Sequence, residues 1–589
     1  MTISAPIGLQ FGNQVGDITN RSGQLFLTSD STFALIGRDI NLEGGTIVSF
    51  PGNLELGSVT SNSQVNLIPI ETGWTLDYES VENFRDINLT QARNAVERES
   101  DFPVILSADK IQLQGKNINI RDERQISIGQ ILKVNSSDTF EISGSDRIVD
   151  TGLLGGVFSN AISNIDGGNI IINTNRLVLQ NGGQISSAVS FNFDENTQES
   201  IPATGNGGDI MINASESIEL TDENSTILSS TAGFGSAGNI VINTKDLSVN
   251  NGAVITAESF GIDSNGESLA TGIGGEIEIN ASEFIELNDA IISSSTSGLG
   301  DNAGSLDLET NQLSVLNGSE ISVGASGSGL AGNLEIAANT INLDQSFLNA
   351  ETRVGDQGNI TLDNADTLLL RNNSQINTNA TELATGGDIT LSSEAIAALD
   401  NSDITANAVE GRGGNIQITT QGIFQEPDSQ ITAASQLGID GTITFNTPDV
   451  DPTAGIFELP DIPLDTENIL AQDLCKLEDE KIAKGSSFII TGRGGLAPTS
   501  EESLGNRDRI VNWASRKDLE VSDSGAVGIR QREEHDTANQ NYPEIKQSQG
   551  LLVTDNGSTW LTANAVNTDP KGAKINHPDC QTQSSTTKN

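Results

Sequence analysis

The sequence predicts an all-β protein, a parallel β-helix with three short strands per coil followed by an irregular C-terminal extension. Three observations predict it. First, a block of text recurs: GGNIIINTNRLVLQNGGQISS at 167–187 returns as AGNIVINTKDLSVNNGAVITA at 237–257. Second, apolar and polar residues alternate inside the block with the period of half-buried strands. In register, Ile170, Ile172, Leu177, Leu179 and Ile185 match Ile240, Ile242, Leu247, Val249 and Ile255. Third, aromatics make up only 4% of the 589 residues while glycine numbers 61, so the core has to be built from stacked aliphatics.

From the N-terminus, residues 1–105 read as irregular coils: IGRDINLEGGTIVSFPGNLELGSV at 36–59 carries the alternation without the regular spacing. The more charged stretch at 77–102 reads as an insertion or an irregular coil. Regular repeats are expected over 106–448. Each is marked by a glycine before a small polar residue and an apolar pair, at Gly168, Gly208, Gly238, Gly275, Gly304, Gly332, Gly358, Gly387, Gly414 and Gly441, spaced 26 to 40 residues apart. Within the unit at 357–386 the plan is a strand NITL, a corner, a strand TLLL, a corner NNS, a strand QINT and a variable loop. No unit closes a core alone, so stacking is required. The longer loops at 188–206 and 259–273 fall at one place in the repeat and should project from one edge.

At about residue 448 prolines and acids replace the alternation, which sets a boundary segment at 449–515, with a short helix expected over 464–484. Residues 516–589 read as a polar, partly disordered tail.

The residue after each marking glycine is often asparagine: Asn169, Asn239, Asn333, Asn359 and Asn415. Stacked amides at one corner are expected to form a structural hydrogen-bonded ladder along the axis. The carboxylates at the same position, Asp209, Glu276 and Asp388, fall in non-adjacent units, about 10 Å or more apart at the ~4.8 Å spacing of strands. That is marginal for the acid pair of an inverting glycosidase.

The net charge of −50 is spread along the chain and repels phosphate backbones and anionic lipid, so nucleic acid is not an expected partner. No stretch approaches the roughly 20 apolar residues of a membrane-spanning helix. The only cysteines, Cys475 and Cys580, are expected to form one structural disulfide if the compartment is oxidising, with two free thiols as the alternative. No P-loop, GxSxG, HExxH or paired CxxC pattern occurs, and neither a cofactor nor a metal nor a catalytic residue is expected.

Several stretches carry a family resemblance. The repeated GGNIxI…LxLxNGSxI units, INLEGGTIVSFPGNLELGSV, DSQITAASQLGIDGTITFNTPDVDP at 428–452 and FIITGRGGLAP at 488–498 resemble the cyanobacterial filamentous-haemagglutinin-like exoproteins of the two-partner secretion system, over roughly residues 5–515. The resemblance implies a right-handed β-helix, exported through a dedicated outer-membrane transporter barrel of the TpsB type and serving at the cell surface as an adhesin in contact with glycans or neighbouring cells. It implies an elongated, monomeric chain. APIGLQFGN at 5–13 is similar to the end of the family's haemagglutination-activity domain, so the export signal and most of that domain are expected to be missing from this sequence.

The expectation is therefore a structural adhesin rather than an enzyme. The alternative is a β-helix lyase or glycosidase, which should place carboxylates on adjacent rungs of one face.

Overall fold

The computed structural model describes residues 7–447, apart from 22, 28–29, 72, 91–103, 122–124, 145–155, 160, 163, 195–198, 261–270, 298–301 and 354–357, together with 550–553 and 559–562. Cys475 and Cys580, the helix expected at 464–484, all of 449–515 and most of 516–589 lie outside the described residues.

The chain is all-β and winds as a parallel β-helix. The register of the repeat is the one its glycines mark. Two residues after each glycine an apolar side chain pairs with its counterpart one coil away: Ile170 with Ile210, Ile210 with Ile240, Ile240 with Ile277, and so on to Ile416 with Ile443. A second column passes through Leu177, Ile218, Leu247 and Ile285, and a third through Ile185, Ile227, Ile255 and Ile292. These side chains are fully buried except Ile443, in the last described coil, which is 38% exposed. Each coil thus contributes a few inward aliphatics to one continuous core, which none of them could bury alone.

The coil is three-sided, and its corners differ. The first two strands run on as one, as in Ile240–Asn250, and bend at a register shift between Thr244 and Asp246. The third, Val254–Thr256, is three residues long. The turn before it requires a left-handed residue, which explains the Asn-Gly and Asn-Asn corners: Asn251 has φ 55° and Asn317 φ 54°. A serine beneath the turn is buried in successive coils, where Ser346 N–H donates to Ser374 Oγ at 3.2 Å and Ser374 N–H to Ser402 Oγ at 3.1 Å.

The marking glycines are set by close backbone approach. A Cβ on Gly304 would fall into the carbonyl oxygen of Gly275, and one on Gly332 into that of Gly304. Only glycine allows consecutive coils to touch there.

The N-terminal region stacks more regularly than its sequence suggests. Ile87–Thr90, inside the charged stretch, is a coil strand paired with Ile40–Glu43 on one side and with Ile118–Arg121 on the other. A hairpin, Gln64–Ile70 and Gly73–Asp77, is inserted at the corner between the first and second strands and is joined by Gly8–Gln10. It packs on the outside of the coils through a small cluster of Val59, Val65, Leu76, Tyr78 and Val81. The loops at 188–206 and 259–273 leave from one column, in which Val189 pairs with Thr231 and Thr231 with Ser259.

Compact units span Met1–Asp451 and Pro452–Asn589. In the second, Gly550–Val553 pairs antiparallel with Thr559–Thr562.

Candidate functional site

The corner between the first and second strands bears the most developed surface feature. The register shift leaves one or two residues per coil out of the ladder, and the outward residue before it is asparagine in coil after coil. Asn173 Nδ2 donates to Asn135 Oδ1 at 2.9 Å, Asn213 to Asn173 at 3.0 Å, Asn243 to Asn213 at 3.0 Å and Asn280 to Asn243 at 3.2 Å. The amides of Asn135, Asn173, Asn213 and Asn243 line a groove of about 540 Å³ that runs along the axis, with Ser137, Asn175, Ser215 and Ser282 in its walls. Asn175 links coils in both directions, donating to the Ser137 carbonyl at 3.1 Å and accepting from Ser215 Oγ at 2.9 Å.

Asn173, Asn213 and Asn243 each use one N–H and one lone pair on their neighbours and keep a second donor and a second acceptor site, whereas Asn280 spends its second N–H on Glu278 Oε1 at 2.8 Å. The groove therefore offers a donor and an acceptor at every rung, about 4.8 Å apart. Beside it, two residues earlier on the same strands, Ile171, Met211 and Val241 form a row on the outer face, and Met211 is 43% exposed. Ion pairs edge the groove. Arg176 reaches Asp138 at 3.1 Å and Lys245 reaches Glu283 at 3.3 Å. The Arg176 guanidinium, bonded to Asp138, holds that carboxyl below its ordinary range.

The apolar row becomes acidic toward the C-terminal side. Glu278 pairs in register with Asp307, and Asp307 with Glu335, so three carboxylates occupy successive rungs of one face. Partial burial raises the pKa of Asp307 first, and the charges of Glu335, Glu278, Glu309 and Glu276 add to it. The non-adjacent carboxylates Asp209, Glu276 and Asp388 do not describe this face.

The asparagines singled out from the sequence lie on an exposed corner one strand-length away from the groove. There the link is made chiefly from a side-chain oxygen to the next coil's backbone. Asn169 Oδ1 accepts Asp209 N–H at 2.9 Å, Asp209 Oδ1 accepts Asn239 N–H at 3.0 Å and Asn239 Oδ1 accepts Glu276 N–H at 2.9 Å. Aspartate serves as well as asparagine, because only the acceptor is used. Further along, Asn359 Nδ2 donates to Asn333 Oδ1 at 3.2 Å, and Asn415 donates to Asp388 at 3.0 Å through its own Nδ2.

The groove asparagines stand five residues after the marking glycines, and the acidic residues stand three after. Both columns were readable at fixed offsets; attention to the residue immediately after the glycine passed over them. Among the described residues, no group of three or more histidine, cysteine, aspartate or glutamate side chains is placed to hold a metal ion. Among them too, no helix is long and apolar enough to cross a membrane.

Comparison with family models, with curated proteins and with solved structures finds no match. The fold and the groove define a solenoid with an asparagine-lined surface groove that has Lys245 at one edge.

Proposed function

We propose that the protein is a surface adhesin whose β-helix presents the asparagine groove to polysaccharide chains, exported by the two-partner route that its sequence resemblance suggests. The observation that carries this reading is the amide ladder from Asn135 to Asn280 beside Ile171, Met211 and Val241. A sugar ring has hydroxyls at its edge and C–H groups on its face. Amides with spare donors and acceptors suit the first, and an aliphatic row suits the second. Two of the cations beside the groove, Arg176 and Lys245, are engaged by carboxylates and are not free to select a polyanion, which leaves Lys133, next to Ile171 at the N-terminal end of the row, as an exposed cation. A neutral glycan is thus the favoured ligand class.

A second reading, a polysaccharide-acting enzyme, is favoured by Glu278, Asp307 and Glu335 on adjacent rungs. A carboxyl with a raised pKa beside other carboxyls is the arrangement of a general acid and its partner.

One experiment separates the two. The purified protein is incubated with immobilised neutral and acidic polysaccharides, and both its retention and the release of oligosaccharides are followed by mass spectrometry. Retention on neutral polymers without release supports the adhesin. Release that grows with time and is lost in Asp307→Asn supports the enzyme.

A further inference from the structure

Glu55 lies on the outer face of the strand Gly45–Ser58 yet is only 3% exposed, because the hairpin covers it. Its Oε1 accepts Thr75 Oγ1 at 3.1 Å and the Leu76 N–H at 3.4 Å, both from the return strand of that hairpin. Its Oε2 is buried with no hydrogen-bond partner, as is the Tyr78 hydroxyl. Tyr78 lies over Gly57, where a Cβ would run into its ring. A carboxylate with one oxygen orphaned in this way is costly to keep charged, and the neutral acid costs less.

The surroundings offer little compensation. Gln112, beside Glu55 on the next strand, donates to the Leu76 carbonyl at 3.3 Å, and Ala34 is the neighbour on the other side. In the hairpin, the Asp77 carboxylate takes Asn66 Nδ2 at 3.2 Å. Lys133, one rung beyond Gln112, is the cation that favours ionisation, while the Tyr78 phenol is pushed up by burial and then by the Glu55 charge and stays neutral.

We propose that the protonation state of Glu55 gates the docking of this flap: the hairpin is seated when Glu55 is neutral and loosens when Glu55 is charged. The groove continues toward the flap, since Gly57, Gln114 and Asn135 occupy its row on successive rungs. Opening would therefore uncover the N-terminal end of the channel.

Burial outweighs the Thr75 and Leu76 hydrogen bonds and the Lys133 charge and raises the Glu55 carboxyl from 4.5 to about 7. The docked state then binds the proton more tightly than the open one. Docking is strongest below the ordinary carboxylate range, weakens as pH rises toward 7 and levels off above it, by a total of about 300-fold.

The test is backbone hydrogen exchange of the full chain between pH 5 and 8.5, comparing wild type with Glu55→Gln at each pH to cancel intrinsic exchange. The expected result is protection of 64–77 that agrees within about fivefold at pH 5 and is roughly 300-fold lower in wild type at pH 8, with Ile240–Asn250 unchanged in both. A wild-type to variant ratio that stays constant with pH overturns the proposal. If Glu55→Gln does not fold, Thr75→Val is used: removing a hydrogen bond that favours the charged form should move the wild-type midpoint upward, and an unmoved midpoint overturns the proposal.

Discussion

Asn243 Nδ2 donates to Asn213 Oδ1 at 3.0 Å across the gap between two coils, and Asn213 in turn donates to Asn173 at 3.0 Å. The same amide thus joins its neighbours and lines the groove. Replacing Asn213 with alanine removes both links at once. The expected cost is about 1 kcal/mol in chemical denaturation, the usual net value of a half-buried hydrogen bond or two. Loss of glycan retention should be much larger than this small effect implies, and the two are measured on the same preparation.

Ile242 is fully buried in the column that joins Ile212 to Ile279. Ile242→Ala should destabilise by about 2–5 kcal/mol, because a rigid stack relaxes poorly into the space left. In a solenoid the loss is local. Hydrogen exchange should therefore accelerate first in the coils next to Ile242, before Leu391 and its neighbours; uniform acceleration along the chain would contradict nearest-neighbour stacking.

Gly304 stands where a Cβ would strike the Gly275 carbonyl. Gly304→Ala should cost about 2 kcal/mol or more, since backbone on both coils has to move. Alanine at Gly422, which meets nothing within 4 Å, is the control and should be near neutral in thermal unfolding.

Asp307 is held between Glu278 and Glu335. Its pKa is raised, so the folded state binds a proton more tightly than the unfolded chain, and this site loses stability as pH climbs above the ordinary carboxylate range. Asp307→Asn should stabilise the protein at pH 7 by up to about 1 kcal/mol, and less at pH 3.5 or in high salt. A variant whose advantage is independent of salt would point to some cause other than charge repulsion.

Much of this was legible in the chain. Ile170 and Ile240 stand at equivalent places in repeated text, and the structure puts both in one column through Ile210. Spacing between glycines revealed that register because backbone contact forces it. The N-terminal coils were harder to read. There the hairpin around Trp74 separates the strand ending at Ser58 from the one beginning at Ile87, and the interval breaks the period although the stacking continues. Glu55 was invisible as a buried group, since in sequence it occupies an ordinary outward position and only the hairpin, folded back from 20 residues away, removes it from water. The groove was legible in principle. Its asparagines keep a fixed offset, but whether side chains at that offset touch depends on the corner bend, which alternation does not encode.

The central claim is that the amide ladder binds a neutral glycan. The most direct measurement is retention of wild type and of the Asn173→Ala, Asn213→Ala, Asn243→Ala triple variant on the same series of immobilised neutral polysaccharides, with circular dichroism confirming the β-helix in both. Wild type is expected to be retained strongly on at least one polymer, and the variant to lose tenfold or more of that retention. Equal retention of two equally folded proteins would contradict it.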